Sequence, residues 1–405
     1  MIGSGGREHA LCWKLAQNRD VRLTAAPGNP GMAQLGVCFG TQDYLAVAER
    51  FNADLTVVGP EQPLAAGIVD RFRSSRRAIV GPTAAAARLE SSKAFAKAFM
   101  NRAGIPTARH IAVSNAAEAR AALKQFPFPV VLKADGLAAG KGVVIAHNAA
   151  EAETALVSLL SGGSGLVLEE FLSGEEVSFI VLSDGQSVVP LEPSQDHKAA
   201  YDSDTGPNTG GMGAYSDGRI LTTGEQSAVL DEVIMPAITQ MRAEGEPFTG
   251  FLYAGLMMTD AGPRVLEFNC RLGDPETQAL MHRMASDFVE PLAQAAHGSL
   301  SDTKIEWHAA PSVCVVLAAA GYPGNVRVGD EIAGVDEVHE GVVFQAGTAQ
   351  QGKVLKTAGG RVLGVTASGA DLRAAIDNTY AEVAKIHFDG VHYRKDIGAK
   401  GLRRW

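Results

Sequence analysis

Glu267-Phe268-Asn269-Cys270-Arg271 reads as a β-strand. The alternation of side chains along a strand puts Glu267, Asn269 and Arg271 on one face, with Leu266, Phe268 and Cys270 turned to the core. A carboxylate and an amide oxygen two residues apart are hard-oxygen donors suited to Mg²⁺, an ion that keeps water and substrate phosphates in the rest of its shell. The adjacent guanidinium suits a carboxylate or the charge on a transferring phosphoryl group. A solvated strand face closed by a Glu–Arg pair fits the same letters, so the surrounding chain has to decide.

Two stretches upstream bear on that choice. Pro129–Ala134 and Gly142–Ala146 read as strands joined by the small-residue loop Asp135-Gly136-Leu137-Ala138-Ala139-Gly140-Lys141. Glycine and alanine let backbone approach phosphate oxygens, and Lys133 and Lys141 supply charge. The spacing is not that of a P-loop, and a plain hairpin with surface lysines also fits. Next, Glu169-Glu170-Phe171-Leu172 and Glu175-Glu176 offer an apolar segment against which an adenine can lie, with a carboxylate for ribose hydroxyls, or else a solvated acidic patch.

The N-terminal part alternates short apolar runs with helical patterns. Gly3-Ser4-Gly5-Gly6 turns into a helix through Leu15, and Leu23–Ala26, Leu55–Val58 and Ala78–Val80 are strand-like. The last three end in Pro27-Gly28-Asn29, Gly59-Pro60-Glu61 and Gly81-Pro82, as expected of a parallel sheet that binds ligands at its strand ends. Only Met1 and Ile2 precede the first glycines, so most of the first strand is expected to lie upstream. Ala84–Arg102 reads as one helix, as does the stretch from Asp274, with Asp274 as its cap, to about Ala296. Polar Ser299–Ala310 reads as a linker to an α+β segment with strands at Val313–Ala319 and Gly360–Thr366 and an amphipathic helix at Asp371–Ile386.

With 405 residues, 46% hydrophobic and 20% charged, the chain has the composition of a globular protein of several domains. A net charge of −9 argues against a nucleic-acid surface. The four cysteines form no Cys-x-x-Cys pair, which leaves neither a zinc nor a redox motif. The longest apolar run, Val313–Ala320, is far short of a membrane span, and no secretory leader is legible. These features point to a cytoplasmic enzyme.

Taken in order, these pieces resemble the ATP-grasp fold, and over nearly the whole chain they are similar to the phosphoribosylamine–glycine ligase (glycinamide ribonucleotide synthetase) family. The resemblance rests on Gly5–Ala10, Val58–Glu61, Lys133–Gly142, Ser194–Lys198, Asp204–Tyr215, Gly250–Leu256, Glu267–Gln278 and Tyr393–Gly398. It implies an α/β and α+β multidomain fold: an N-terminal parallel-sheet, Rossmann-like domain (1–91), an ATP-grasp domain (92–298, its lid about 109–176) and a small C-terminal α+β domain (311–405). It also implies that ATP, glycine and 5-phosphoribosylamine give glycinamide ribonucleotide, ADP and phosphate through glycyl phosphate, early in purine synthesis. A monomer is expected.

By the same resemblance Lys93, Lys133, Gly140 and Lys141 hold ATP phosphates, Glu170-Phe171-Leu172 forms the adenine hinge, and Glu176 meets the ribose. Glu267 and Asn269 bind Mg²⁺ or Mn²⁺, and Arg271 with Lys141 steadies the acyl-phosphate transition state. Gly5, Gly6, Pro27, Gly28, Asn29, Asp196, His197 and Lys198 touch phosphoribosylamine, and Thr209, Gly210 and Gly211 border glycine. The chain departs from the family pattern in its short Ser161–Gly165 loop, and Tyr253-Ala254-Gly255-Leu256 offers no further acid to a metal. Rival readings are another ATP-grasp ligase, against which Asp204–Tyr215 speaks, a nucleotide-binding oxidoreductase resting on a lone glycine turn, and a non-catalytic ATP binder.

Overall fold

The computed structural model describes residues 1–137, 142–163 and 165–404. At the N-terminus Ile2–Gly3, Leu23–Pro27 and Gly36–Cys38 run parallel side by side. Thr56–Val57 runs parallel to Ile79–Val80, and a parallel bridge from Ile2 to Val58 joins the two pieces. The first strand is therefore central in a doubly wound order, and two residues suffice to pair on both sides.

The lid is a four-stranded antiparallel sheet in the order His110–Val113, Leu166–Glu170, Val130–Ala134, Val143–Ala146. Helices Ala116–Leu123 and Ala149–Leu160 cover it, and Leu132, Leu156 and Leu168 belong to a core of its own. Below the lid lies the main antiparallel sheet. Gly262–Asn269, Thr249–Thr259, Glu175–Asp184, Ser194–Asp196 and Gly213–Ser216 are successive neighbours. The ladder then continues, through Ser312–Ala318 against Gly213–Ser216, into Arg361–Ser368 and Val342–Gln345. The C-terminal α+β segment thus extends the central sheet rather than standing apart from it.

Three expectations are corrected. The helix read over Ala84–Arg102 is two, Arg88–Ser91 and Lys93–Ala103. Ser92 breaks it by adopting an extended conformation and accepting the Phe95 N–H, while the Asp135 carboxylate takes Ser92 Oγ at 3.2 Å and the Ala94 N–H at 3.2 Å. The helix after Asp274 ends at Arg283 and restarts at Val289, because Met284 is extended and bridges to Trp307. Asp274 does not cap it; its carboxylate is turned to Arg361 (3.1 Å) and Gln278 (2.8 Å). Third, a register shift opposite Gly255–Leu256 bulges Leu266 out of the alternation, so its side chain is half-buried instead of core-facing. Helices Thr223–Val229 and Met235–Ala243 and the hairpin Thr348–Gln351/Val354–Thr357 were not legible as such.

Candidate active site

Lid, main sheet, N-terminal strand ends and C-terminal segment enclose a cavity of about 830 Å³. Its floor is one face of the sheet. Cross-strand register sets Ser178 opposite Gly255, Gly255 opposite Glu267, Tyr253 opposite Asn269, and Glu176 opposite Met257. Paired residues share a face, so Glu176, Ser178, Tyr253, Glu267 and Asn269 all look into the same space. On the next strand Ser194 pairs with Ser178, which brings Asp196, two residues on, to that face as well.

The bulge has a chemical consequence, since it leaves the Leu266 carbonyl to accept Lys133 Nζ at 2.8 Å. Lys133 also meets Glu169 at 3.1 Å, and Glu169 is shared with Lys97 at 2.9 Å; all three side chains are at most 8% exposed. Lys97 in turn donates to Thr107 Oγ1 at 2.7 Å. Burial, partly offset by Glu169, pulls the Lys97 amine down to about 8. Lys133 is therefore aimed by a fixed buried frame. Lys93, first residue of its helix, donates to the Gly136 carbonyl at 2.8 Å, and burial lowers its amine against the pull of Glu267.

Burial alone raises the Glu267 carboxyl, yet Lys198, Lys133, Lys93 and Arg271 outweigh it and hold Glu267 below the usual carboxylate range. Glu267 is thus an anion at neutral pH. Arg271 is pinned between Glu90 (2.9 Å) and Glu61 (3.4 Å), and it donates to Asn269 Oδ1 at 3.2 Å and the Leu272 carbonyl at 3.1 Å. Glu90 further accepts the Cys270 N–H at 2.7 Å, which fixes the strand end. Among the described residues no group of three His, Cys, Asp or Glu is placed to hold a metal. Glu267 and Asn269 on the cavity face are hard-oxygen donors that fit a divalent cation completed by phosphates and water.

Glu170, Phe171 and Leu172 form a wall beside the lid, with Phe171 41% exposed to the space. The Glu170 carboxylate is tied to the Arg109 N–H at 2.8 Å, and the Glu170 N–H donates to the Arg109 carbonyl at 3.0 Å. Glu176 accepts Lys198 Nζ at 2.9 Å, and that cation, against burial, keeps its carboxyl low. Asp196 faces the same lysine; burial and the neighbouring Glu276 and Glu176 nevertheless raise its carboxyl.

Other expected contacts divide. Gly5, Pro27, Thr209 and Gly210 line the cavity. Gly6 backs onto Gln278, and Gly28 onto Cys38. The Asn29 side chain turns inward, donating to the carbonyls of Ser4 (2.9 Å) and Gln345 (2.8 Å). Gly211 lies behind the wall against Pro275. His197, on the opposite face from Asp196 and Lys198, is fully buried with neither ring nitrogen hydrogen-bonded, and burial lowers it to about 3. Gly140 and Lys141, with the rest of their loop at Ala138 and Ala139, lie outside the described residues, as do Ser164 and Trp405. Arg404, in the basic tail, pairs with Glu175 at 2.8 Å.

Several wall residues carried no signal of their own in the sequence. Arg361 reaches in from the C-terminal segment, donating to the carbonyls of Gly210 (2.6 Å), Gly211 (3.3 Å) and Asp274 (2.6 Å), while Tyr322 accepts the Gly210 N–H at 3.2 Å. Away from the cavity, Arg394 of the Tyr393–Gly398 stretch is braced by its own neighbour Asp396 (2.7 Å) and holds the turn of the Ala199–Tyr201/Thr205–Asn208 hairpin through Asp204 (2.8 Å). Glu8 accepts the Gly5 N–H at 2.5 Å, filling space that a side chain on Gly59 would need. Glu8 and Arg394 lie in stretches that carry the family resemblance, whereas Tyr322 and Arg361 lie outside them.

Three family models cover nearly all of the chain: the N domain of phosphoribosylglycinamide synthetase over residues 1–90, its ATP-grasp (A) domain over 91–277 and its C domain over 312–400. The phosphoribosylamine–glycine ligase of Ralstonia nicotianae is 50% identical over 418 residues, spanning 100% of this chain and 99% of that protein. The crystal structure of the enzyme of the same name from Thermotoga maritima superposes with a TM-score of 0.87 at 35% identity, over 98% of each chain. The biotin carboxylase domain of Hydrogenobacter thermophilus 2-oxoglutarate carboxylase, solved with MgADP, shares the fold at 17% identity (TM-score 0.73, 96% of this chain and 90% of that one). On its domain order, its full-length identity and the strand face that carries Glu267 and Asn269, the chain belongs to the phosphoribosylamine–glycine ligase family.

Proposed function

We propose that this chain joins glycine to 5-phosphoribosylamine at the expense of ATP by way of glycyl phosphate, with glycinamide ribonucleotide, ADP and phosphate as products. The observation that carries the reading is the sheet face that Glu267 shares with Asn269, in a cavity also lined by Lys93, Lys133, Lys198 and Arg271. A polyphosphate brought there meets cations already aimed at it, so catalysis rests on positioning and charge neutralisation.

ATP lies between lid and sheet, its adenine against Phe171 and Leu172 with backbone bonds at the hinge from Glu170, its ribose near Glu176, and its phosphates by Lys93, Lys133, Gly140 and Lys141. Glu267 and Asn269 hold Mg²⁺ or Mn²⁺, which would neutralise phosphate charge. The glycine carboxylate attacks the γ-phosphorus and ADP leaves. The amine of phosphoribosylamine then attacks the acyl carbon, phosphate leaves, and the amine sheds a proton. Arg271, immobilised by Glu61 and Glu90, presents fixed positive charge at the strand end where the acyl phosphate forms. Gly5, Pro27, Asp196 and Lys198 supply the phosphoribosylamine side, and Thr209 and Gly210 the glycine side.

We infer a monomer, as the resemblance to the family implies. Among the described residues no helix is long and apolar enough to cross a membrane, and we place the enzyme in the cytoplasm. The test is ADP release with Mg²⁺-ATP, freshly generated phosphoribosylamine and glycine, each omitted in turn. Release should require both cosubstrates and should vanish in Glu267→Gln; release without glycine would sink the assignment.

A further inference from the structure

Glu276 is the first residue of the helix Glu276–Arg283, is 3% exposed, and lines the cavity. Its Oε1 accepts Tyr253 OH at 3.0 Å and Ser178 Oγ at 3.2 Å, and the two hydroxyls lie 2.8 Å from each other. Two donors on one oxygen fix the plane of the carboxylate. Among the described residues no Lys or Arg forms an ion pair with it. The neighbouring cations are committed elsewhere: Arg271 to Glu61 and Glu90, Arg361 to Asp274, and Lys198 to Glu176. A buried, oriented carboxylate without a cation is costly unless a ligand brings one.

Resting on the reading above, the geometry points to Glu276 as the residue that binds the α-ammonium of the amino-acid substrate. Of the three substrates, ATP brings only phosphate charge, phosphoribosylamine brings a phosphate and an amine that must be unprotonated to attack, and glycine brings an ammonium that takes no part in the reaction. The floor supports the same assignment. Ser178, Gly255 and Glu267 lie opposite one another on three neighbouring strands, so Ser178 and Glu267 are about 10 Å apart along the sheet. Between them stands Gly255, where a Cβ would crowd Glu267 Cγ at 3.2 Å and Tyr253 Cε1 at 3.5 Å, so the absent side chain lets those two groups close over the strand. Glycine's nitrogen and carboxylate oxygens are roughly 3 Å apart. With its ammonium on Glu276, glycine lies beside Tyr253 and its carboxylate points toward Glu267, where the γ-phosphate is to be attacked. Of the remaining carboxylates of this floor, Glu176 is paired with Lys198, Asp196 faces the same lysine, and Glu267 is assigned to the metal.

The experiment is Glu276→Gln, which keeps shape and removes charge, with steady-state kinetics for each substrate and equilibrium dialysis of radiolabelled glycine in the presence of a non-hydrolysable ATP analogue. Loss of a charge-assisted contact should raise the glycine KM about 10- to 100-fold and weaken glycine binding alike, with the ATP KM within about two-fold. Tyr253→Phe, which frees one anchor of the carboxylate, should raise the glycine KM by a smaller factor, and it serves as the second variant should Glu276→Gln fail to fold. An unchanged glycine KM and affinity, or a rise confined to phosphoribosylamine, overturns the inference while leaving the overall reaction standing. A wild-type enzyme whose ADP release ignores glycine overturns both.

Discussion

Glu169→Gln is the perturbation that most directly probes how the site is held. Glu169 lies between Lys97 at 2.9 Å and Lys133 at 3.1 Å, with side-chain exposures of 2%, 3% and 8% in that order. Breaking a buried ion pair by neutralising one member costs about 3–5 kcal/mol. Here the low end applies, about 3 kcal/mol at neutral pH, because Thr107 Oγ1 still accepts from Lys97 and the Leu266 carbonyl from Lys133. The cost depends on pH with a definite sign. Lys97 titrates at about 8 in the fold, against roughly 10.4 unfolded. Between those values the unfolded chain keeps a proton that the fold has released, so stability rises with pH across that window and is lowest below it.

Without Glu169 the supporting charge is gone, the folded Lys97 value drops further, and the window opens downward. The variant's deficit is then larger at about pH 7 than at about pH 9, where the wild type has itself lost the proton, and between those two pH values it narrows by up to about 1.4 kcal/mol. Urea unfolding followed by circular dichroism at both pH values reads this directly, and the ATP KM should rise because Lys133 loses its aim. Equal midpoints at about pH 7, or a deficit of the same size at both pH values, would refute the reasoning.

Arg361→Ala removes an ion pair and three hydrogen bonds that hold the loop at Gly210–Gly211 and the Asp274 carbonyl. With the arginine side chain 22% exposed, we expect a discounted loss of about 10- to 100-fold in kcat/KM for glycine at nearly constant ATP KM. Arg361→Lys should recover only part, since one ammonium cannot copy the fork; full activity in both would show that the loop needs no latch. Acid should destabilise the fold through its buried imidazoles. Desolvation sets His9 and His282 to about 4, and His197 to about 3, against about 6.5 unfolded. Their contribution is complete above about pH 6.5 and is lost as pH falls toward the folded values, because the unfolded chain takes up protons that the fold refuses. An unfolding midpoint that stays flat between about pH 6.5 and 4.5 would count against neutral, buried histidines.

The sequence by itself determined those parts of the site whose chemistry is written within a few residues. Alternation along a strand put Glu267 and Asn269 on one face, an apolar segment between acids marked a stretch of cavity wall at Phe171, and glycine-rich turns marked the N-terminal strand ends. The same alternation separates His197 from Asp196 and Lys198, although all three were read as substrate contacts. Only the tertiary structure decided which groups support and complete the site. Ser178, Tyr253 and Glu276 meet across 98 residues of chain, Arg361 reaches Gly210 across 151, and Lys97 finds Glu169 across 72. The break at Ser92 likewise depends on Asp135, 43 residues away. Such partnerships have no local signature, because they are fixed by strand register and by the free energy of leaving a buried charge unpaired, and both exist only once distant segments have packed together.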